Sequence, residues 1–119
     1  MKALGLVWLG IRTDDLEETL RLFRDVLGLE PVLEEEGTVE LELPRGERVQ
    51  LFGPGHAYHD RFEGAGPVPL FEVDDLEEAG RRLRERGLEI GPRDQDAAWE
   101  WFDFRGPDGN VYELARRLG

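Results

Sequence analysis

The chain has 119 residues, which is enough for one domain with a hydrophobic core. Its 27 acidic residues outnumber 15 Lys and Arg and give a formal net charge of −12. This argues against nucleic acid and anionic membranes as partners, because both attract clustered basic side chains. Cysteine and serine are absent, which excludes thiolate metal sites and Cys or Ser nucleophiles.

No targeting or membrane segment is recognisable in the sequence. No apolar run reaches the ~18 residues of a membrane span, and no signal peptide precedes the first strand-like run. We therefore expect a cytoplasmic protein. Labile residues are scarce and prolines number seven, a composition that hints at a thermophilic source.

The first half of the chain predicts a strand, a helix and three short strands. Residues 4–12 alternate weakly, as a strand does. Asp14 or Asp15 can then cap a helix, and Gly28 marks its end. The apolar stripe of this helix consists of Leu16, Leu20, Phe23 and Leu27. The following strands are expected at 30–36, 38–43 and 47–53.

The second half repeats this order. Residues 75–84 match residues 15–24 at six of ten positions, and such self-similarity indicates a duplicated unit. The second helix is expected at 75–86, and the strands at 67–73, 89–94, 98–105 and 110–115. The prediction is one α+β domain of two βαβββ units, at about 1–53 and 67–119. Because neither unit could cover its sheet alone, the pair should share a core.

Alternation along the strands separates two faces of the sheet. In 38–43, Val39 and Leu41 point one way and Glu40 the other. In 47–53, Val49 and Leu51 oppose Gln50, and in 98–105, Phe102 opposes Trp101. The uniformly apolar set should pack under the helices, and the other face should carry tryptophans and acids. The residues that alternation places on this second face include Trp8, Glu40, Gln50, Phe52, Trp99, Trp101, Asp103 and Glu113.

Two segments carry a resemblance to a known family. They are Asp15-Leu16 through Leu29, and Gly106-Pro107-Asp108-Gly109-Asn110-Val111-Tyr112-Glu113-Leu114. Together with the doubled unit, they resemble the vicinal oxygen chelate superfamily, which includes glyoxalase I, bleomycin-resistance proteins, fosfomycin-resistance enzymes and extradiol dioxygenases. The resemblance covers essentially the whole chain and implies that the two units form a curved mixed sheet.

The resemblance also implies where a divalent metal would bind. Metal-binding members place one ligand on the first strand and one on the last strand of each unit, which corresponds here to Trp8, Gln50, Val68 and Glu113. Glu113 is a good ligand for a hard cation and Gln50 a weak oxygen donor, whereas Trp8 and Val68 cannot coordinate a metal. We therefore expect no metal and no cofactor.

Three functions are compatible with these residues. The leading hypothesis is metal-independent binding of a small aromatic or cationic molecule in an acidic, Trp-lined groove, as the bleomycin-resistance branch implies. The ligand-binding residues would be Trp8, Glu40, Gln50, Phe52, Trp99, Trp101 and Asp103. An alternative is a metal-dependent lyase, isomerase or dioxygenase with a non-standard ligand set and Glu113 as the catalytic residue. The third is a structural dimer whose groove is filled by its own side chains.

Two further expectations concern assembly and the linker. A homodimer is expected from the resemblance, and Trp99 and Trp101 could anchor its interface as readily as they could stack on a ligand. His56 and His59 follow a Gly-Pro-Gly sequence, so we expect them to be exposed loop residues rather than metal ligands.

Overall fold

The computed structural model describes residues 1–119. In chain order the elements are β1 (Ala3–Arg12), α1 (Leu16–Arg21) with a π-helical turn (Leu22–Val26), β2 (Glu30–Glu35), β3 (Thr38–Glu42), β4 (Arg48–Phe52), α2 (Ala57–Arg61), β5 (Val68–Val73), α3 (Leu76–Glu85), β6 (Asp94–Gln95), β7 (Trp99–Arg105) and β8 (Val111–Arg117). The order β-α-β-β-β therefore occurs twice, and the short helix α2 lies in the loop between the two occurrences.

The helix α1 begins where the sequence predicts but ends earlier. Asp15 caps it by accepting a hydrogen bond from a backbone N–H three residues on, at 3.1 Å. The chain then widens into the π-helical turn, where the Leu27 N–H bonds the Leu22 carbonyl oxygen at 3.0 Å. The extra residue in this turn rotates Leu27 away from the core, so Leu27 is exposed. The rest of the predicted stripe packs against the core: Leu16, Leu20 and Phe23.

Tertiary contacts divide the chain into two compact units. The N-terminal unit comprises Trp8–Pro67, and the C-terminal unit comprises Met1–Val7 together with Val68–Gly119. The sequence repeat follows the order of elements, whereas this division follows contacts. The first residues of β1 therefore belong to the C-terminal unit.

The N-terminal unit contains the strand order β2-β3-β4-β1. β1 runs parallel to β4, and the other pairs are antiparallel. Val39 and Leu41 on β3 and Val49 and Leu51 on β4 form its buried core. These are the positions that strand alternation predicted to lie under the helix, and that prediction is confirmed.

The C-terminal unit contains the order β5-β8-β7-β6, with β5 parallel to β8 and the other pairs antiparallel. Its core consists of Val73, Leu76, Ala79, Phe102 and Leu114. The strand predicted at 89–94 is largely absent: Ile90 makes a single bridge to Phe104, and β6 has only two residues. Pro92, which lacks an N–H, interrupts the pairing between them.

These elements define an α+β fold with two βαβββ units, each built on a mixed four-stranded sheet, as predicted. None of the helices combines the length and the apolar character that crossing a bilayer requires.

Candidate functional site

The pairing of strands in the N-terminal unit shows which side chains lie next to one another on the face opposite its core. Each set of directly paired residues is called a row. Residues paired directly across strands point to the same side of a sheet. On the side opposite the core, β3, β4 and β1 contribute the rows Glu42–Arg48–Trp8, Glu40–Gln50–Gly10 and Thr38–Phe52–Arg12. Four of the predicted site residues therefore share this face: Trp8, Glu40, Gln50 and Phe52.

A chain of hydrogen bonds fixes Trp8 and Gln50. Trp8 Nε1 donates to Gln50 Oε1 at 3.1 Å. Gln50 Nε2 donates to Thr38 Oγ1 at 3.0 Å, and the Thr38 hydroxyl donates to the carbonyl oxygen of Leu51 at 2.7 Å. Both ends of the Gln50 amide are thus engaged within the protein, which holds the amide in one orientation.

Gly10 provides the space that the Trp8 ring occupies. The two residues are two apart on β1, so they lie on the same face of the strand. A Cβ atom at Gly10 would lie 2.3 Å from Trp8 Cη2 and 2.8 Å from Cζ3, which is far inside van der Waals contact. The indole therefore lies across the Gly10 backbone, where only glycine leaves room for it.

An aromatic cluster surrounds Phe52, which is only 1% exposed. The ring centroid of Phe52 lies 6.0 Å from that of Trp8, 4.9 Å from His56, 5.4 Å from Tyr58 and 5.7 Å from Phe62. Tyr58 and Phe62 stack at 5.2 Å. Tyr58 and Phe62 are not among the predicted site residues, although their spacing of four residues after a capping His56 is a helical signal.

The acidic side chains near Trp8 are compensated locally. Arg48 Nη1 lies 3.3 Å from Glu40 Oε1, and Arg48 Nη2 lies 2.9 Å from Glu42 Oε2. Because Arg48 contacts both carboxylates, Glu40 and Glu42 contribute less negative potential beside Trp8 than their formal charges suggest.

The two linker histidines have different surroundings from those predicted. The expectation of an exposed loop is wrong for His59, which lies in α2 and is 7% exposed. Its Nε2 lies 2.9 Å from Asp14 Oδ1, and its carbonyl oxygen accepts a 2.6 Å hydrogen bond from Arg12 Nε. His56 is half-buried, and its Nδ1 accepts from the Tyr58 N–H at the start of α2. His59 thus ties α2 to Arg12 of β1 and to Asp14, which follows β1, whereas His56 caps the start of α2.

The C-terminal unit has the corresponding rows on the face opposite its core. Across β5, β8 and β7 these are Leu70–Glu113–Asp103 and Glu72–Ala115–Trp101, and Arg117 pairs with Trp99 in the next row. The other four predicted site residues share this face: Trp99, Trp101, Asp103 and Glu113. Glu113 is 2% exposed, and its Oε2 atom is shielded from solvent.

The Trp99 ring is covered by the cationic side chain of Arg117, which is not among the predicted site residues. The guanidinium carbon of Arg117 lies 4.3 Å from the centroid of the Trp99 ring. Arg117 Nε also lies 3.3 Å from Glu72 Oε2. One face of a predicted ligand-binding tryptophan is therefore occupied by a side chain of the protein itself.

The turn that carries the family motif is held by local contacts. The Gly106 N–H donates to the Asn110 carbonyl oxygen at 2.9 Å. The Tyr112 hydroxyl donates to the Asp108 carboxylate, and this hydrogen bond lowers the pKa of Asp108. A Cβ atom at Gly106 would lie 2.8 Å from Tyr112 Cε2. A side chain at position 106 would therefore require the Tyr112 ring to move.

Comparison with known families identifies the chain. The model of the Glyoxalase/Bleomycin resistance protein/Dioxygenase superfamily matches residues 5–114. The chain belongs to this superfamily. The resemblance to the vicinal oxygen chelate superfamily is thereby confirmed. No curated protein matches the chain.

Several solved structures of this superfamily are similar to the chain. A glyoxalase/bleomycin resistance protein/dioxygenase superfamily member from Vibrio splendidus 12B01 is 24% identical, with a TM-score of 0.73 over 95% of this chain and 98% of that one. Methylmalonyl-CoA epimerase from Mycobacterium tuberculosis is 25% identical, with a TM-score of 0.72 over 98% and 90%. An extradiol ring-cleaving dioxygenase from B. fuscum is 20% identical, with a TM-score of 0.79, and the chain covers 33% of its length.

The residues at the ligand positions of the vicinal oxygen chelate superfamily do not fit a metal ion. Trp8 offers only an N–H donor, and it directs that donor to Gln50 Oε1, the weak oxygen ligand of the same unit. Val68 is a buried aliphatic side chain. Glu113 is the only carboxylate at the four positions. Moreover, no group of three or more His, Asp or Glu side chains is arranged to hold a metal.

Proposed function

We propose that this superfamily member binds a small aromatic or cationic molecule without a metal ion, on the sheet faces that carry its tryptophans. The observation that carries the proposal is the hydrogen bond from Trp8 Nε1 to Gln50 Oε1. It joins two positions that correspond, by the resemblance, to ligands of metal-binding members, and it engages the only side-chain oxygen that these two positions could offer to a metal. The same proposal includes a cytoplasmic homodimer.

The partial exposure and fixed position of the Trp8 ring support an aromatic ligand. Trp8 is half-buried, so part of its ring remains accessible for stacking. Its position is fixed by Gly10, Gln50 and Phe52, so little conformational entropy would be lost when a planar ligand stacks on it. Fixed aromatic rings are typical of small-molecule sites.

Electrostatics supports a neutral or cationic ligand rather than an anion. The net charge of −12 attracts cations at long range and repels anions. Tryptophan faces add about 0.5–2 kcal/mol for a cation, depending on its desolvation. Since Arg48 compensates the acids near Trp8, the short-range selectivity would come mainly from the aromatic rings.

The test combines metal analysis with ligand titration. Protein purified without chelators should contain no stoichiometric zinc, manganese, nickel or iron. Benzyltrimethylammonium should quench tryptophan fluorescence, whereas benzoate, which has the same ring and the opposite charge, should not. Trp8→Leu should weaken the binding more than Trp8→Phe, which keeps a ring. Stoichiometric metal, or equal responses to the two probes, would contradict the proposal.

The second candidate is an enzyme of the superfamily, a lyase, isomerase or dioxygenase, with Glu113 as its catalytic residue. Its support is the burial of the Glu113 carboxylate beside the cross-strand residue Asp103 on the predicted site face. A buried carboxylate is a typical proton acceptor or donor in catalysis. Under this candidate, Glu113→Gln should abolish turnover of a substrate while leaving its binding intact. Equal turnover by the variant would exclude this role.

Dimerisation can be separated from ligand binding at Trp101. If Trp101 is a stacking platform, Trp101→Ala should weaken ligand binding and leave the sedimentation coefficient unchanged. If it anchors a homodimer, the same substitution should lower the sedimenting mass. A loss of mass without any loss of binding would favour the structural dimer.

A further inference from the structure

The contact between Trp99 and Arg117 has the composition of a cation site. The two residues are direct cross-strand partners on β7 and β8. The Arg117 guanidinium lies over the Trp99 ring at 4.3 Å and reaches Glu72 Oε2 on β5 from its Nε atom at 3.3 Å. An aromatic face and a carboxylate on opposite sides of one cation are the elements by which proteins recognise ammonium and guanidinium groups.

The Arg117 side chain is weakly held, whereas the Glu72 side chain that it contacts is mostly buried. The Arg117 side chain is 63% exposed and belongs to the last residue of β8. Glu72 is only 20% exposed and lies within β5. An exposed cation–π contact shifts an equilibrium by a factor of about two to five. Arg117 can therefore leave the ring at little cost while Trp99 and Glu72 stay in place.

The sheet itself holds the two groups that contact Arg117. Glu72 pairs with Ala115, and Trp99 pairs with Arg117 in the next row of the same face. Ala115 is fully buried between Glu72 and Trp101. A cation that replaced Arg117 over Trp99 would therefore meet the Glu72 carboxylate without any change in the strands.

We propose that Trp99 and Glu72 form a subsite for the ammonium or guanidinium group of a ligand, and that Arg117 occupies this subsite until the ligand displaces it. The subsite rests on the proposed function, because a cationic molecule is the class of ligand that the proposed function assigns to the protein. Arg117 acts as an internal competitor. It lowers the affinity for small cations and prevents the ring and the carboxylate from being exposed when no ligand is bound.

The test compares two single substitutions that change the net charge equally. Arg117→Gln removes the competitor, and Arg116→Gln removes the neighbouring arginine, which bonds Glu100 instead. Tetramethylammonium chloride is titrated against matched sodium chloride, and the three tryptophan indole N–H signals are followed by NMR. The Trp99 signal should respond at a concentration about two to five times lower in Arg117→Gln than in wild type or Arg116→Gln. The same signals report whether each variant is folded.

Two outcomes would overturn the subsite. One is an equal response of Trp99 in the two variants, which would show only the effect of net charge. The other is an undiminished response of Arg117→Gln when Glu72→Gln is added. Failure of the proposed function is distinguishable, because it would appear as the absence of any Trp8 response to benzyltrimethylammonium in wild type. If Trp8 responds and Trp99 does not distinguish the variants, the proposed function stands and the subsite is wrong.

Discussion

At equivalent positions of the repeated sheet, the N-terminal unit has Phe52 where the C-terminal unit has Ala115, and Gly10 where the other has Leu70. The amide of Gln50 corresponds in the same way to the carboxylate of Glu113. In the N-terminal unit, the Trp8 indole lies over the glycine and bonds the amide, so its position is fixed by contacts within the unit.

The C-terminal unit keeps a different kind of face. Its small Ala115 lies between Trp101 and Glu72, its carboxylate Glu113 is buried, and the side chain that covers Trp99 is an exposed arginine. One unit therefore provides a fixed aromatic surface, and the other provides charged groups with a displaceable cover. Duplication thus preserved the frame, while the two sets of face residues took on different physical roles.

The largest effect should come from removing the centre of the N-terminal cluster. Phe52→Ala deletes a ring that is 1% exposed and contacts four other rings. We expect the free energy of unfolding to fall by about 3–5 kcal/mol, measured by chemical denaturation. The complementary change, Ala115→Val in the C-terminal unit, adds volume at a small residue and should cost about 1–3 kcal/mol. A smaller loss for Phe52→Ala than for Ala115→Val would contradict the comparison.

The next largest loss of stability should come from filling the space that Gly10 leaves for the Trp8 ring. Gly10→Ala places a methyl group 2.3 Å from the present position of Trp8 Cη2, so the indole must move away from Gln50. We expect a loss of about 1–3 kcal/mol in the free energy of unfolding and a red shift of tryptophan emission.

The control for Gly10 lies on the same strand. A Cβ atom at Gly5 would meet nothing within 4 Å, so Gly5→Ala should be neutral or should stabilise by about 0.4–1 kcal/mol. If both substitutions behave alike, the Trp8 ring does not depend on Gly10.

Much of the frame could be predicted from the sequence because its signals are local. Alternation in β3 and β4 identified the core face that Val39, Leu41 and Leu51 occupy, and the repeated Asp-Leu-Glu-Glu sequence located both helix starts. The π-helical turn could not be predicted, because the spacing of Leu27 fits a regular helix equally well. The bond between Trp8 and Gln50 joins residues 42 apart, so it depends on a strand register that single-sequence patterns do not specify.

A smaller loss of stability should come from removing the side-chain amide of Gln50. Gln50→Leu removes the acceptor for Trp8 Nε1 and the donor to Thr38 Oγ1. Because the site is only partly buried, water can replace part of the loss, and we expect about 1 kcal/mol in chemical denaturation. Thr38→Val interrupts the same chain at its other end. The two substitutions together should cost less than the sum of their single effects, and full additivity would show that the chain does not act as one unit.

The smallest effect should depend on pH and lie on the other face of the C-terminal unit. A hydrogen bond from Arg116, supported by the charge of Arg93, lowers the pKa of Glu100 below its ordinary value of 4.5. A carboxyl group with a lowered pKa in the folded state stabilises the fold above its unfolded pKa, and this contribution is lost as pH falls through the folded pKa. Arg116→Gln should therefore melt slightly below wild type at pH 7, and the difference should shrink as the pH falls below the ordinary pKa of a glutamate. Arg45→Gln, which removes an exposed arginine of the N-terminal unit, provides the charge-matched control. A difference for Arg116→Gln that persists unchanged at low pH would show that Arg116 stabilises by packing rather than through Glu100.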